Sequence, residues 1–169
     1  MPGIPIKPSV LFELQQQLNH ELGAAYSYQA LSVWCAEQHF KGFASFFGKQ
    51  AAEERVHAEK IIQHLLGRGV LPELGSISAP KGRFDTILEA AQHAQSMEQM
   101  NTAGINSAYE AAIREADLPA QVLLHWFIKE QVEEEAWADE MVARVARAGC
   151  PGGLSDLDRH IERYLASES

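Results

Sequence analysis

The chain has 169 residues, 46% hydrophobic and 22% charged, with 23 Asp and Glu against 14 Lys and Arg, for a formal charge of −9. Phosphate neutralisation by clustered Lys and Arg is the basis of non-specific nucleic-acid binding, and an acidic chain without a basic run excludes it. The surplus favours cations as partners, and length and composition suit one soluble globular domain over 1–169.

In chain order, Met1 to Val10 contains three prolines and one lysine and no apolar run that would serve as a signal-peptide core. The uncharged stretch Gly23 to Ala36 is broken by Ser and Gln and falls short of the roughly 20 apolar residues that span a bilayer. A soluble, cytoplasmic protein without membrane partners is expected. Helical periodicity without internal proline predicts four long helices, about Ser9 to Gln38, Gly42 to Arg68, Asp85 to Ala116 and Pro119 to Ala148. A shorter fifth helix, from Ser155 to Leu165, sets Leu154, Leu157, Ile161 and Leu165 on one face. The turns near Lys41 and Asp117 are tight, whereas Gly69 to Phe84 is long enough to run the length of a bundle and leave the second and third helices parallel. The expected fold is therefore all-α: a four-helix bundle over about 9–148 with one long crossover, the ferritin-like class, plus a fifth helix at about 154–166. Cys35 and Cys150 stand apart without a CxxC pattern and read as buried or incidental thiols.

Each long helix carries an apolar stripe interrupted by polar groups. The first reads Leu11, Leu14, Leu18, Glu21, Ala25, Tyr28; the second Phe47, Gln50, Glu54, His57, Ile61, Leu65. The third reads Ile87, Ala91, Ala94, Glu98, Ile105, Tyr109; the fourth Leu124, Phe127, Gln131, Glu134, Met141, Val145. The interruptions fall near the middle of every helix, so they meet at one level whichever way each helix points. Four unpartnered buried carboxylates, at several kcal/mol each, would exceed a domain's net stability of roughly 5 to 15 kcal/mol. Two divalent cations cancel four such charges, and an oxygen-rich site with one imidazole suits iron or manganese better than thiolate-bound zinc or copper(I). Met97, Met100 and Met141 read as core or gap-filling residues.

The runs Leu18-Asn19-His20-Glu21-Leu22, Glu53-Glu54-Arg55-Val56-His57 and Glu130-Gln131-Val132-Glu133-Glu134-Glu135, in that order on successive helices, resemble a prokaryotic non-haem ferritin over nearly the whole chain. The fourth helix has Gln131-x-x-Glu134 in place of the Glu-x-x-His of other di-iron bundles. Arg55 stands where bacterioferritins carry a haem-ligating Met, so no haem is expected. The resemblance implies one iron held by Glu21, Glu54 and His57, and a second by Glu54, Glu98 and Glu134, with Gln131 beside it. It implies an accessory third site at Glu53, Glu130 and Glu133, with Glu134 at its edge. Tyr28 and Trp126 match aromatics near the di-iron site, with an implied role as electron donors. The implied activity is Fe(II) oxidation by dioxygen or peroxide and storage of a hydrated ferric oxide within a homo-oligomeric cage of twenty-four subunits. Another ferritin-like di-metal enzyme (a rubrerythrin-type peroxidase or a manganese catalase), a DNA-protecting ferritin and a metal-free helical module are the rival readings. The rubrerythrin type lacks its rubredoxin cysteines here, and the DNA-protecting ferritin is disfavoured by the fifth helix and by having its ligands at subunit interfaces.

Overall fold

The computed structural model describes residues 4–166, which form five α-helices and, among the described residues, no strand. They are α1 (Pro8–Glu37), α2 (Lys41–Gly67), α3 (Ile87–Arg114), α4 (Leu118–Arg147) and α5 (Pro151–Leu165). Several boundaries move by a few residues for identifiable reasons. Pro8 opens α1, where a missing N–H costs nothing, and Ser9 turns its hydroxyl to Glu115 Oε1 at 3.0 Å instead of capping. Thr86, not Asp85, caps α3 by accepting the Glu89 N–H, while the Glu89 carboxylate accepts the Asp85 N–H at 2.7 Å. Asp117 caps α4 through the Ala120 N–H at 3.0 Å. Helix α5 starts at Pro151, earlier than Ser155, because the Cys150 sulfur accepts the Gly153 N–H at 3.3 Å.

Long-range side-chain contacts give the topology. Ser9 meets Glu115 and Tyr28 meets Glu98, so α1 and α3 are antiparallel; Ser32 donates to the Ala44 carbonyl and Glu21 lies beside His57, so α1 and α2 are antiparallel. Helices α2 and α3 are therefore parallel, linked by a crossover over 68–86. The crossover is tied to α1 by Asn19, which donates to the Glu73 carbonyl at 3.0 Å and accepts the Gly75 N–H at 2.6 Å. Arg68 at the end of α2 grips the Asp117 carboxylate at the start of α4, at 2.7 and 2.8 Å. The two tight turns each place a non-glycine residue in the left-handed region, His39 (φ 63°) and Ala116 (φ 53°).

Helix α5 docks on the start of α2. A Cβ at Gly42 would overlap the Asp158 carbonyl oxygen, so only glycine permits this approach. The Asp158 carboxylate accepts the Phe43 N–H at 2.9 Å, capping a helix whose own N-cap, Phe40, offers no side-chain acceptor.

The buried apolar residues form two clusters, one at each end of the bundle. One includes Tyr28, Leu31, Phe43, Phe47, Met141 and the α5 residues Leu157 and Ile161; the other includes Val10, Leu14, Ile61, Ile105, Leu124 and Phe127. Between them lies a layer of buried polar residues from all four long helices. Stripe positions Leu11 and Tyr109 are half-buried at the margins. Met100, read from sequence as core or gap-filling, is 65% exposed because it sits on the outer side of α3, and Met141 alone of the three is fully buried. No described helix is long and apolar enough to cross a membrane.

Candidate metal centre

The polar layer is where the four interrupted stripes meet. Glu21 projects from α1, Glu54 and His57 from α2, Glu98 from α3, and Gln131 and Glu134 from α4, none more than 4% exposed. His57 Nδ1 stands 3.3 Å from Glu54 and 3.8 Å from Glu21. Glu21, Glu54 and His57 each offer a ligand atom within 4.8 Å of the other two, and so do Glu54, Glu98 and Glu134. Glu54 belongs to both groups, so two cations held here would share it. Oε2 of Glu21, both oxygens of Glu54 and Nδ1 of His57 are buried without a hydrogen-bond partner. Leaving such groups unsatisfied costs roughly 1 to 3 kcal/mol each, and more when charged. These unpartnered atoms, converging from α1 and α2 and facing the carboxylates of α3 and α4, are what a cation takes up.

A second set of side chains holds the carboxylates in place. Tyr28 donates to Glu98 Oε1 and Trp137 donates its indole N–H to Glu134 Oε2. Gln17 donates to Glu21 Oε1 at 2.7 Å and to Asn101; Asn101 donates to Gln131 Oε1 at 3.3 Å; Gln131 donates to Glu98 Oε2 at 3.2 Å and to Thr102 at 3.1 Å. An amide chain thus runs from Glu21 to Glu98, and Gln131 acts in it as a donor to a carboxylate. Gln17, Asn101 and Trp137 are absent from the sequence-based site. Their signal is positional: Gln17 precedes Glu21 by four residues, Asn101 follows Glu98 by three, and Trp137 follows Glu134 by three, all one turn away on the same face.

Burial pushes Glu54 well above the usual carboxylate range, reinforced by the adjacent Glu21 and by the charges of Glu98 and Glu134. Burial and the charge of Glu98 raise Glu134 to about 8, against the Trp137 hydrogen bond. Glu98 is raised by burial, with Tyr28 and Gln131 opposing. Glu21 goes the other way: burial would raise it, but the neighbouring Glu54 and His57 groups, the His57 charge and the Gln17 hydrogen bond carry it below its ordinary value. His57 is lowered by burial and raised further by Glu21, Glu134 and Glu130, for a net rise. Burial and the surrounding carboxylates hold the Tyr28 phenol well above 10, as a neutral donor. The metal-free cluster therefore keeps protons at neutral pH that a cation would displace.

Toward the α2–α4 face the layer opens into a cavity of about 790 Å³ whose walls include Glu53, Glu130, Glu133, Glu134, His57 and Trp126. All three residues of the expected accessory site line it: Glu53 and Glu133 exposed, Glu130 half-buried. The group of three that the structure draws within 4.8 Å on this side is His57, Glu130 and Glu134. Glu53 is raised by burial and by the Glu130 charge, against the charge of His57. Trp126 packs its edge against His57 with ring centroids 5.3 Å apart and carries Lys60 over its face at 4.3 Å.

Residues 12–148 match the Ferritin family, described as a ferritin-like domain. The chain is 38% identical over 144 residues to a bacterial non-heme ferritin of Staphylococcus aureus strain MRSA252, covering 85% of this chain and 87% of that protein. It is 31% identical over 157 residues to the bacterial non-heme ferritin of Escherichia coli O6:H1, covering 92% and 95%. Among solved structures, an open pore ferritin from the hyperthermophilic archaeon Archaeoglobus fulgidus superposes with a TM-score of 0.89 at 30% identity, over 92% of this chain and 97% of that one.

Proposed function

The chain belongs to the ferritin family, and on that basis we propose that it is an iron-storage protein with ferroxidase activity. The observation that carries the reading is the pair of three-ligand groups sharing Glu54, buried between two apolar cores with lone pairs unpartnered. Four carboxylates carry the charge that two Fe(II) ions neutralise. Glu21, Glu54 and His57 take one ion; Glu54, Glu98 and Glu134 take the other, with Gln131 steering Glu98 through its Oε2. Two ferrous ions together supply two electrons, which reduce dioxygen with two protons to hydrogen peroxide and leave two ferric ions. Carboxylates suit this change because they pass between terminal and bridging modes and bind the harder ferric ion well. The neutral Tyr28 phenol, bonded to Glu98, is positioned to supply an electron or a proton. Glu53, Glu130 and Glu133, with Glu134, hold a third iron on its way to a hydrated oxide mineral.

The names of the relatives support iron as the substrate and no haem. A cytoplasmic cage of twenty-four copies, each 18.7 kDa, completes the proposal. Anaerobic Fe(II) titration of the purified protein tests it, with saturation expected at two to three ions per chain and a particle of several hundred kilodaltons on size exclusion. Absence of saturable Fe(II) binding refutes the reading.

A further inference from the structure

The carboxylate layer approaches the surface on two opposite faces of the bundle. The 790 Å³ cavity lies on the α2–α4 face. On the α1–α3 face a second cavity of about 320 Å³ is lined by Glu13, Gln16, Gln17, Asn19, His20 and Gly104. Gln17 belongs to this cavity and to the site at once. Its Nε2 donates to Glu21 and to Asn101, while its Oε1 lies toward Gly104, where a Cβ would stand only 2.6 Å away. Glycine at 104 therefore leaves the space that the amide oxygen uses.

The chemistry of the wall selects its occupant. It offers a carboxylate, the side-chain amides of Gln16 and Gln17 and an imidazole whose buried Nε2 has no hydrogen-bond partner, with no Lys or Arg among the lining residues; the third amide, Asn19, is committed to the crossover. Oxygen and imidazole donors without a fixed cation suit a hydrated divalent metal ion and disfavour anions. We propose that this cavity is an inlet for divalent cations to the carboxylate layer and that Gln17 is its gate. The proposal rests on the metal-centre reading above. A cation arriving at Gly104 meets the Gln17 carbonyl oxygen first. Rotation of that side chain breaks its bonds to Glu21 and Asn101 and exposes Glu21, whose other oxygen already lacks a partner. Because the 790 Å³ cavity is the one walled by His57 and Glu134, ions enter on the α1–α3 face and leave on the α2–α4 face.

Co(II), which does not turn over and reports its coordination in visible absorption, is the probe, mixed with assembled protein in a stopped-flow instrument. Glu13→Lys and Gln16→Trp alter the inlet without touching a site ligand. Each is expected to slow the appearance of the Co(II) spectrum at least tenfold, with the final number of ions bound unchanged. Gln17→Ala is expected to fill at least as fast as the wild type. Wild-type filling rates in both Glu13→Lys and Gln16→Trp overturn the inlet, and slowing by Glu133→Lys in their place assigns access to the opposite cavity. If the wild type takes up no Co(II), the metal-centre reading falls and the inlet with it.

Discussion

Replacing Glu134 with Gln is expected to make the metal-free protein more stable at neutral pH while weakening its hold on metal. Glu134 is 4% exposed, and burial together with the Glu98 charge lifts its carboxyl from an ordinary 4.5 to about 8. Between those values the folded chain binds a proton that the unfolded chain has released. The stabilisation from this group is therefore complete below pH 4.5 and is lost as pH rises toward 8. At about 1.4 kcal/mol per pH unit, the loss between pH 4.5 and pH 7 is about 3 kcal/mol. Glutamine is isosteric, keeps an oxygen to accept the Trp137 N–H and does not titrate. The stability difference between Glu134→Gln and wild type, from guanidinium unfolding of metal-free protein at fixed chain concentration, should be near zero at pH 4.5 and rise to about 3 kcal/mol in the variant's favour at pH 7. Adding Co(II) should reverse the order, because the wild type alone keeps the fourth carboxylate. A difference that stays flat from pH 4.5 to 7 refutes the assignment of the raised carboxyl to Glu134 and the argument built on its burial.

Glu54→Ala with His57→Ala should leave a helical, assembled protein and abolish rapid Fe(II) oxidation; stopped-flow absorbance in the ferric region checks this, and unchanged initial rates contradict the shared-ligand role. Gly42→Ala should detach α5, because the new methyl overlaps the Asp158 carbonyl oxygen and strips Phe43 of its cap. Hydrogen exchange of the α5 amides should then accelerate at least tenfold while α1 to α4 stay protected. Asp117→Ala removes both the α4 cap and the partner of a mostly buried Arg68, and should cost about 3 kcal/mol in chemical denaturation.

The long helices and the level of the site were legible because their signals repeat. A stripe such as Phe47, Gln50, Glu54, His57, Ile61 and Leu65 is buried at every position, and periodicity alone places it. The carboxylates stood out because a charge on an apolar seam is expensive. Gln17 and Asn101 did not, because an uncharged amide at a seam looks the same whether it edges into water or completes a buried network. Trp137 is indistinguishable from core in sequence, and only the fold sets its indole N–H against Glu134. The start of α5 carries no ordinary sequence signal because a cysteine sulfur serves as the cap, a role normally filled by Ser, Thr, Asp or Asn. The docking of α5 through Gly42 and Asp158 joins residues far apart in the chain and leaves no local trace.

The division of the apolar residues into two clusters has a consequence for cooperativity. Each cluster draws on all four long helices, and the layer between them has little apolar contact to transmit strain from end to end. In the metal-free chain the two ends are coupled chiefly by the helices themselves, which act as four continuous struts through a polar waist. A helix-breaking residue at an outward position of that waist, such as Val132→Pro, should let one half of the bundle melt before the other. Metal ions held there as proposed would add a cross-brace at that level, and filling the site should then convert two loosely linked half-bundles into one cooperative unit.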